Sequence, residues 1–450
     1  MAYYKRNIDT KLQEWKSNKN HKPLLLRGAR QVGKSTAVKE LGKSFRYFVE
    51  VNLEKKPELQ KLFTENIDVK KTCEKLSGTL SIPIIPGESL LFIDEIQVCK
   101  EAIMALRYFK EDYPELHVIA AGSLLEFTLA ELPSFGVGRI RSLYMYPFSF
   151  DEFLSAQGLD LMVEYKKNAT SIDPLTDVAH EALKDQLRTF FLVGGMPAAV
   201  TEWIDTHSYL DVSHIHNEII DTYQDDFSKY TKKTNPLLLR QVLRSVAQQA
   251  GTKFVFTLVS KDTKSIVIKE ALHLLSLAGL ITPVIHTNAN GLPLGAEENN
   301  SYIKYLFFDL GVMQTMLKIP ATDIIMSSDV DFVNKGSASE MFAGLELIKY
   351  SDCYMRPDLN YWQNMTRNGQ AEIDYLKVIN GNIVPIEVKA NTRGSMQSLW
   401  IFMRKHKITY GIRTSLENFG ELITNDAEDN SERHIDIIPL YALSSIHLCE

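Results

Sequence analysis

The segment Gly28-Ala29-Arg30-Gln31-Val32-Gly33-Lys34-Ser35 fits the pattern G-x-x-x-x-G-K-[ST] and directly follows the apolar run Leu24-Leu25-Leu26. No other stretch constrains the fold as much. Glycines at this spacing allow positive φ, so a strand can turn sharply and wrap its amides around an anion. Thr36-Ala37-Val38-Lys39-Glu40-Leu41 reads as the next helix, opening near Lys34, and its amino end adds a partial positive charge. The expected ligand is a triphosphate held by the backbone of Gly28, Ala29, Arg30, Gln31, Val32, Gly33, Lys34, Ser35 and Thr36. Lys34 is then placed at the β- and γ-phosphates and the Ser35 hydroxyl on Mg²⁺.

A second element agrees with the first. Ser89-Leu90-Leu91-Phe92-Ile93 is an apolar strand that ends in Asp94-Glu95, as a Walker B strand beside the phosphate-loop strand does. Asp94 would hold Mg²⁺, directly or through water, and Glu95 would polarise the attacking water as general base. Arg46 to Val51 and Leu116 to Ser123 read as further strands, with a helix around Glu101 to Lys110 between the latter and Walker B. Such alternation implies a parallel sheet. Ser123, at the carboxyl end of its strand, suits either a sensor of the γ-phosphate or a helix N-cap. Gly138-Arg139-Ile140-Arg141 offers guanidiniums for transition-state charge, with Arg139 the stronger candidate, in cis or from a neighbouring subunit.

At 450 residues the chain is long enough for about three domains. Its net charge of −6 gives no global attraction for nucleic acid, so any such contact requires a local basic face. Cys73, Cys99, Cys353 and Cys449 lack metal-ligand spacing and read as free thiols of a reducing compartment. No apolar run is long enough to span a bilayer, and the polar start lacks a signal-peptide core; the expectation is a cytoplasmic protein without a membrane partner.

The α/β alternation stops near Pro147 to Phe153, and Ala179 to Thr231 is helical apart from Gly194-Gly195-Met196-Pro197, which must break the helix. That break reads as a lid hinge or as a plain interhelical turn. Tyr223, Phe227 and Tyr230 recur at helical spacing and are expected in the core. From Leu237 to Ile285, two helical segments precede a strand, and Arg240, Arg244, Lys253, Lys261, Lys264 and Lys269 outnumber Asp262 and Glu270. The order suggests a winged helix, used either on DNA or as a packing module. The segment from Lys166 to Asp177 carries no motif and reads as a surface loop.

The last third holds a second candidate site. Glu372 to Val378 alternates as a strand, Asn380-Gly381-Asn382 makes a turn, and Ile383 to Lys389 returns. Strand period puts Glu387 and Lys389 on one face, and hairpin pairing brings Asp374 towards them. An Asp followed by Glu-x-Lys is the constellation of PD-(D/E)xK nucleases, in which Asp374 and Glu387 would bind Mg²⁺ and Lys389 would position or deprotonate water. Glu340, on a helix from Ser337 to Tyr350, would complete the metal ligands. An edge strand with alternating exposed charge reads the same way.

With these residues the chain resembles the prokaryotic AAA-type ATPases of the archaeal-ATPase and STAND neighbourhood that join an AAA domain to a C-terminal nuclease-like domain. The stretches carrying the resemblance are Arg27 to Ser35, Phe92 to Gln97, Ala121-Gly122-Ser123, Gly138-Arg139, Tyr146 to Phe150, Gly194 to Pro197 and Ile386 to Lys389. It implies an α/β fold in four parts: an AAA-type P-loop ATPase with a parallel sheet over 1–153, a helical lid over 154–235, a winged helix over 236–290 and a restriction-endonuclease-like domain over 291–450. ATP, with Mg²⁺, as the nucleotide is implied by the resemblance alone. Two functions stay open. In one, ATP turnover drives or gates cleavage of DNA or RNA; in the other, the chain is a nucleotide-dependent switch whose C-terminal domain only binds a partner. The acidic balance after Gly336 weakens nonspecific DNA binding, while the intact Asp374, Glu387 and Lys389 favour catalysis. Assembly into an oligomer is compatible with either.

Overall fold

A computed structural model describes residues 3–64, 68–132, 138–230, 234–321, 337–364, 371–390 and 396–449. Thr231, the expected end of the helical stretch, lies outside the described residues. The chain divides into two compact units, the first formed by Met1–Pro147 with the short pieces Leu277–Gly279 and Asp352–Arg356, the second by the remainder.

The first unit is built on five parallel strands: β1 (Leu24–Arg27), β2 (Tyr47–Asn52), β3 (Ser89–Asp94), β4 (His117–Ala121) and β5 (Arg141–Tyr144), in the order β2-β3-β4-β1-β5. Parallel strands need crossovers, and the intervening helices Lys34–Gly42, Val69–Leu80 and Lys100–Asp112 provide them. β3 and β4 are buried at every position, which is why they read as continuous apolar runs. Leu25, Val51, Leu91, Ile93, Val118 and Ala120 share one core with Ile103, Leu106 and Phe109. One expectation is corrected here: the Walker B strand does not lie beside the phosphate-loop strand, because β4 is inserted between β3 and β1. Local pattern identifies strands but not their order across a sheet.

The second unit contains an eight-stranded mixed sheet. Its strands are β6 (Ile281–Thr287), β7 (Glu298–Phe307), β8 (Leu359–Gln363), β9 (Glu372–Ile379), β10 (Asn382–Val388), β11 (Tyr410–Ser415), β12 (Gly420–Asn425) and β13 (Glu432–Pro439). They run in the order β12-β13-β11-β10-β9-β8-β6-β7. β8, β9 and β10 form an antiparallel meander, and the helix Gln397–His406 carries the chain over to β11, which pairs parallel to β10. Trp362, Ile373, Leu376, Leu399, Phe402, Met403 and Ile435 pack as its core. The hairpin β6–β7 follows the helices Pro236–Gln248 and Ser265–Leu277 and continues this sheet, because β6 pairs with β8.

The helical stretch breaks where glycine and proline demand it, between Asp177–Val193 and Pro197–Thr206. Gly194 has φ +69°, and the Asp309 carboxylate accepts from the Gly195 amide at 2.7 Å and the Val312 amide at 3.0 Å, fixing the corner. Tyr223, Phe227 and Tyr230 are buried, as their spacing predicts. The segment from Lys166 corrects the expectation of a surface loop at its first residue. Lys166 ends a helix turn with its ammonium fully buried, donating to Asp151 at 2.5 Å and to the Ser444 hydroxyl at 2.9 Å. A buried ammonium requires such partners, and both are distant in sequence.

Candidate nucleotide site and carboxylate cluster

The phosphate-type loop leaves β1 at Gly28, whose φ is +139°; a Cβ there would stand 2.1 Å from the Met145 carbonyl oxygen. Gly33, at φ 99°, caps the helix Lys34–Gly42 without a side chain, and Gln31 also has positive φ. The loop is held from outside by Arg6, a residue that no motif singles out. Its buried guanidinium donates to the Val32 carbonyl at 3.0 Å and the Tyr146 carbonyl at 2.7 Å. Lys34 folds back over the loop, its Nζ 2.8 Å from the Gly28 carbonyl oxygen and 2.7 Å from that of Ala29. Burial pulls its pKa down to about 8 despite the carboxylates of Glu95 and Asp94.

The first helical turn and the end of β3 meet across β4. Ser35 Oγ lies 3.2 and 3.3 Å from the two Asp94 carboxylate oxygens, and the Asn52 side-chain amide donates to Asp94 Oδ2 at 3.2 Å. Burial, followed by the neighbouring Glu95 charge, raises the Asp94 pKa. A hydroxyl beside a carboxylate is the kind of oxygen donor pair that would hold a magnesium ion. Glu95 sits in the left-handed region at φ 51°. Its Oε2 accepts from the Gln97 amide at 2.7 Å, from the Ser123 hydroxyl at 3.1 Å and from the Ser123 amide at 3.2 Å. Ser123 is therefore no helix N-cap: the next helix, Leu125–Glu131, is capped at Leu124 without a side-chain bond. Arg139 is half-exposed and paired with Glu111 at 3.1 Å, on the surface. Arg30, within the loop, is half-buried, and Thr36, just after it, is exposed.

In the second unit the four expected residues converge. The helix Ser337–Lys349 supplies Glu340, β9 supplies Asp374, and β10 supplies Glu387 with Lys389 just beyond its end. The register Ile386↔Tyr375 places Glu387 opposite Asp374, whose Oδ2 accepts from the Val388 amide at 2.8 Å. Lys389 donates to Glu387 Oε1. Two further residues, absent from the sequence expectation, complete the cluster. Glu372 is two positions before Asp374 on the same strand face, and one carboxylate oxygen each from Glu340, Glu372 and Asp374 lie within 4.8 Å of one another. Lys304, from β7, is only 3% exposed and donates to Glu340 Oε1 at 2.8 Å and to Glu372 Oε1. Its ammonium also stands 4.9 Å from the centre of the Tyr361 ring.

Charge dominates this cluster. Burial raises Glu340 and Glu387 to about 8, the neighbouring Asp374 adding to the effect on both. Burial opposes the Lys304 charge, yet the carboxylates of Glu340, Glu372 and Asp374 outweigh it and hold that ammonium far above its ordinary range. A divalent ion among these oxygens would face Lys304, and each pair of unit charges at 4 Å costs about 4 kcal/mol near a protein surface. The donor set therefore does not fit a metal while Lys304 remains in it.

Of the basic residues in the stretch 237–285, Arg240, Arg244, Lys261, Lys264 and Lys269 are exposed, whereas Lys253 lies over the Tyr302 ring at 3.3 Å. No helix among the described residues is long and apolar enough to cross a membrane.

Comparison with known proteins divides the chain in three. The AAA domain family model matches residues 20–154, and two domains of unknown function match 184–323 (DUF8612) and 335–443 (DUF4143). No curated protein matches. Among solved structures, a Walker-type ATPase of Pyrococcus abyssi is 17% identical with a TM-score of 0.45, over 70% of this chain and 96% of that one. Unliganded Pif1 from a Bacteroides species is 14% identical with a TM-score of 0.22, over 42% and 52%. Cdc6p of Pyrobaculum aerophilum is 12% identical with a TM-score of 0.26, over 70% and 96%. At these scores none of the three bears on fold or function. The five-stranded parallel sheet, the loop Gly28 to Ser35 and the family match together identify residues 20–154 as an AAA-type P-loop domain.

Proposed function

We propose that the chain binds ATP with Mg²⁺ in its first unit and hydrolyses it, and that nucleotide state governs what the second unit does with nucleic acid. The contact of Ser35 Oγ with both Asp94 oxygens carries the first half of this reading. The amides of Gly28 to Thr36 take the phosphates, and Lys34 exchanges its carbonyl partners for the β- and γ-phosphate oxygens. Ser35 and Asp94 would hold magnesium, which would supply positive charge against the phosphates. Glu95 takes the proton of the attacking water, and Gln97 and Ser123 orient its carboxylate. Arg139 serves transition-state charge only from a neighbouring subunit, since within this chain it is engaged by Glu111. Steady-state phosphate release with Mg²⁺ and ATP tests this half: turnover abolished by Lys34→Ala supports it, and a wild type without turnover under any magnesium concentration refutes it.

For the second unit, the convergence of Glu340, Asp374, Glu387 and Lys389 supports a PD-(D/E)xK type of domain that engages DNA or RNA. The region 154–235 would act as lid, and 236–290, as winged helix, would present its exposed arginines and lysines to phosphates. Lys304 among the carboxylates favours binding without cleavage over nuclease action. If Arg240 and Arg244 contact phosphates, the double variant Arg240→Glu, Arg244→Glu lowers the affinity for a fluorescent oligonucleotide. It also flattens the plot of log K against log salt by about two units, near 0.9 for each contact. An unchanged slope would remove this face from the account.

A further inference from the structure

We propose that Lys304 is the resident cation of the C-terminal carboxylate cluster, its ammonium standing where a metal-dependent nuclease would hold a divalent ion, so that the site needs and takes no metal. The inference rests on the nuclease-like reading of this domain and decides between its two forms. Three observations carry it. Lys304 donates to Glu340 and Glu372, which come from different elements of the fold, so it ties the helix Ser337–Lys349 to β9 as a bridging ion would. It is anchored rather than mobile: β7 is hydrogen-bonded to β6 in the sheet, with Lys304 opposite Val284, and the side chain lies against the Tyr361 ring. Finally, each carboxylate has a partner within the protein: Lys304 serves Glu340 and Glu372, Lys389 serves Glu387, and Asp374 accepts from the Val388 amide.

An ammonium is well suited to this place. It offers three donors, two of them committed to Glu340 and Glu372, and the lysine itself is buried where an unpaired charge would be expensive. Magnesium, by contrast, requires near-octahedral oxygen ligation and keeps several waters, whereas two of the carboxylates it would need are already bonded to the Lys304 ammonium. Among the described residues Glu387 Oε2 and the Tyr361 hydroxyl are buried without a hydrogen-bond partner. Neither is relieved by Lys304. The consequence is that wild-type chain recognises nucleic acid at this domain without cutting it.

The test uses the full chain without nucleotide and counts free Mn²⁺ by electron paramagnetic resonance, with thermal melting in parallel. Wild type is expected to take up no more Mn²⁺ than Asp374→Asn, and its melting temperature to be indifferent to Mn²⁺. Lys304→Met should bind one additional Mn²⁺ at least tenfold more tightly than wild type, with a raised melting temperature, and adding Asp374→Asn should cancel both gains. Tight Mn²⁺ uptake by wild type that Asp374→Asn abolishes would overturn the proposal, and this comparison stands even if Lys304→Met does not fold. So would a folded Lys304→Met that gains no ion. Failure of the nuclease-like reading shows itself differently: Lys304→Met then loads Mn²⁺, yet neither it nor wild type binds an oligonucleotide.

Discussion

Replacing Lys34 with alanine is expected to reduce ATP hydrolysis by about 100-fold or more, the cost of removing one pre-positioned electrostatic partner of a developing charge. Affinity for the nucleotide should fall with it, because the ammonium is a full positive charge that the loop carries to the β- and γ-phosphates. Stability should behave differently. Lys34 is a buried cation whose pKa is pulled down to about 8, so its charge is a burden in the absence of phosphate. The melting temperature of Lys34→Ala should consequently stay within a few degrees of wild type, and thermal denaturation checks this. Undiminished turnover in a folded variant would remove Lys34 from the site.

Glu95→Gln separates binding from chemistry. The amide keeps an oxygen that can accept from Gln97 and Ser123, so the loop at the end of β3 should hold its shape. It cannot accept a proton from water. Loss of a positioned general base costs roughly 10²- to 10⁴-fold, and hydrolysis should fall by that range while ATP binding changes little. Single-turnover hydrolysis with a parallel binding titration reads both quantities. Loss of both together would mean that Glu95 supports the strained turn at φ 51° instead of the chemistry.

Much of the nucleotide site was legible because its elements are local. Glycine conformations, the apolar β1 and the helix after Gly33 all lie within one short stretch, and β3 reveals itself by burial on both faces. Their meeting was less legible. β4 separates β3 from β1, and Ser35 reaches Asp94 only because the first helical turn passes over the intervening strand end. Arg6 could not have been found by pattern, since its targets Val32 and Tyr146 are joined to it by tertiary structure alone. β5 is illegible for a simpler reason: Arg141-Ser142-Leu143-Tyr144 is an edge strand with one buried residue, so no apolar run marks it.

The C-terminal cluster shows the same division. The hairpin of β9 and β10 was readable from its turn and alternation, and with it the nearness of Asp374 to Glu387. Glu372 follows from the same period-two rule, being on the Asp374 face. Lys304 was not available. β7 begins Glu298-Asn299-Asn300-Ser301, a polar edge, and a lysine in such a strand is normally solvated; here the strand dips inward and buries it. The residue that most alters the chemistry of the site is thus the one whose local pattern least suggests a role.

The account depends on a magnesium nucleotide seating itself on the loop Gly28 to Ser35, beside Asp94. Isothermal titration calorimetry of the full chain with ATP, with and without Mg²⁺, measures this directly. The predicted result is a saturable one-site heat with wild type that weakens when magnesium is withheld and is lost in Lys34→Ala. Absence of any heat of association in folded wild type, or a heat untouched by Lys34→Ala, would contradict the account.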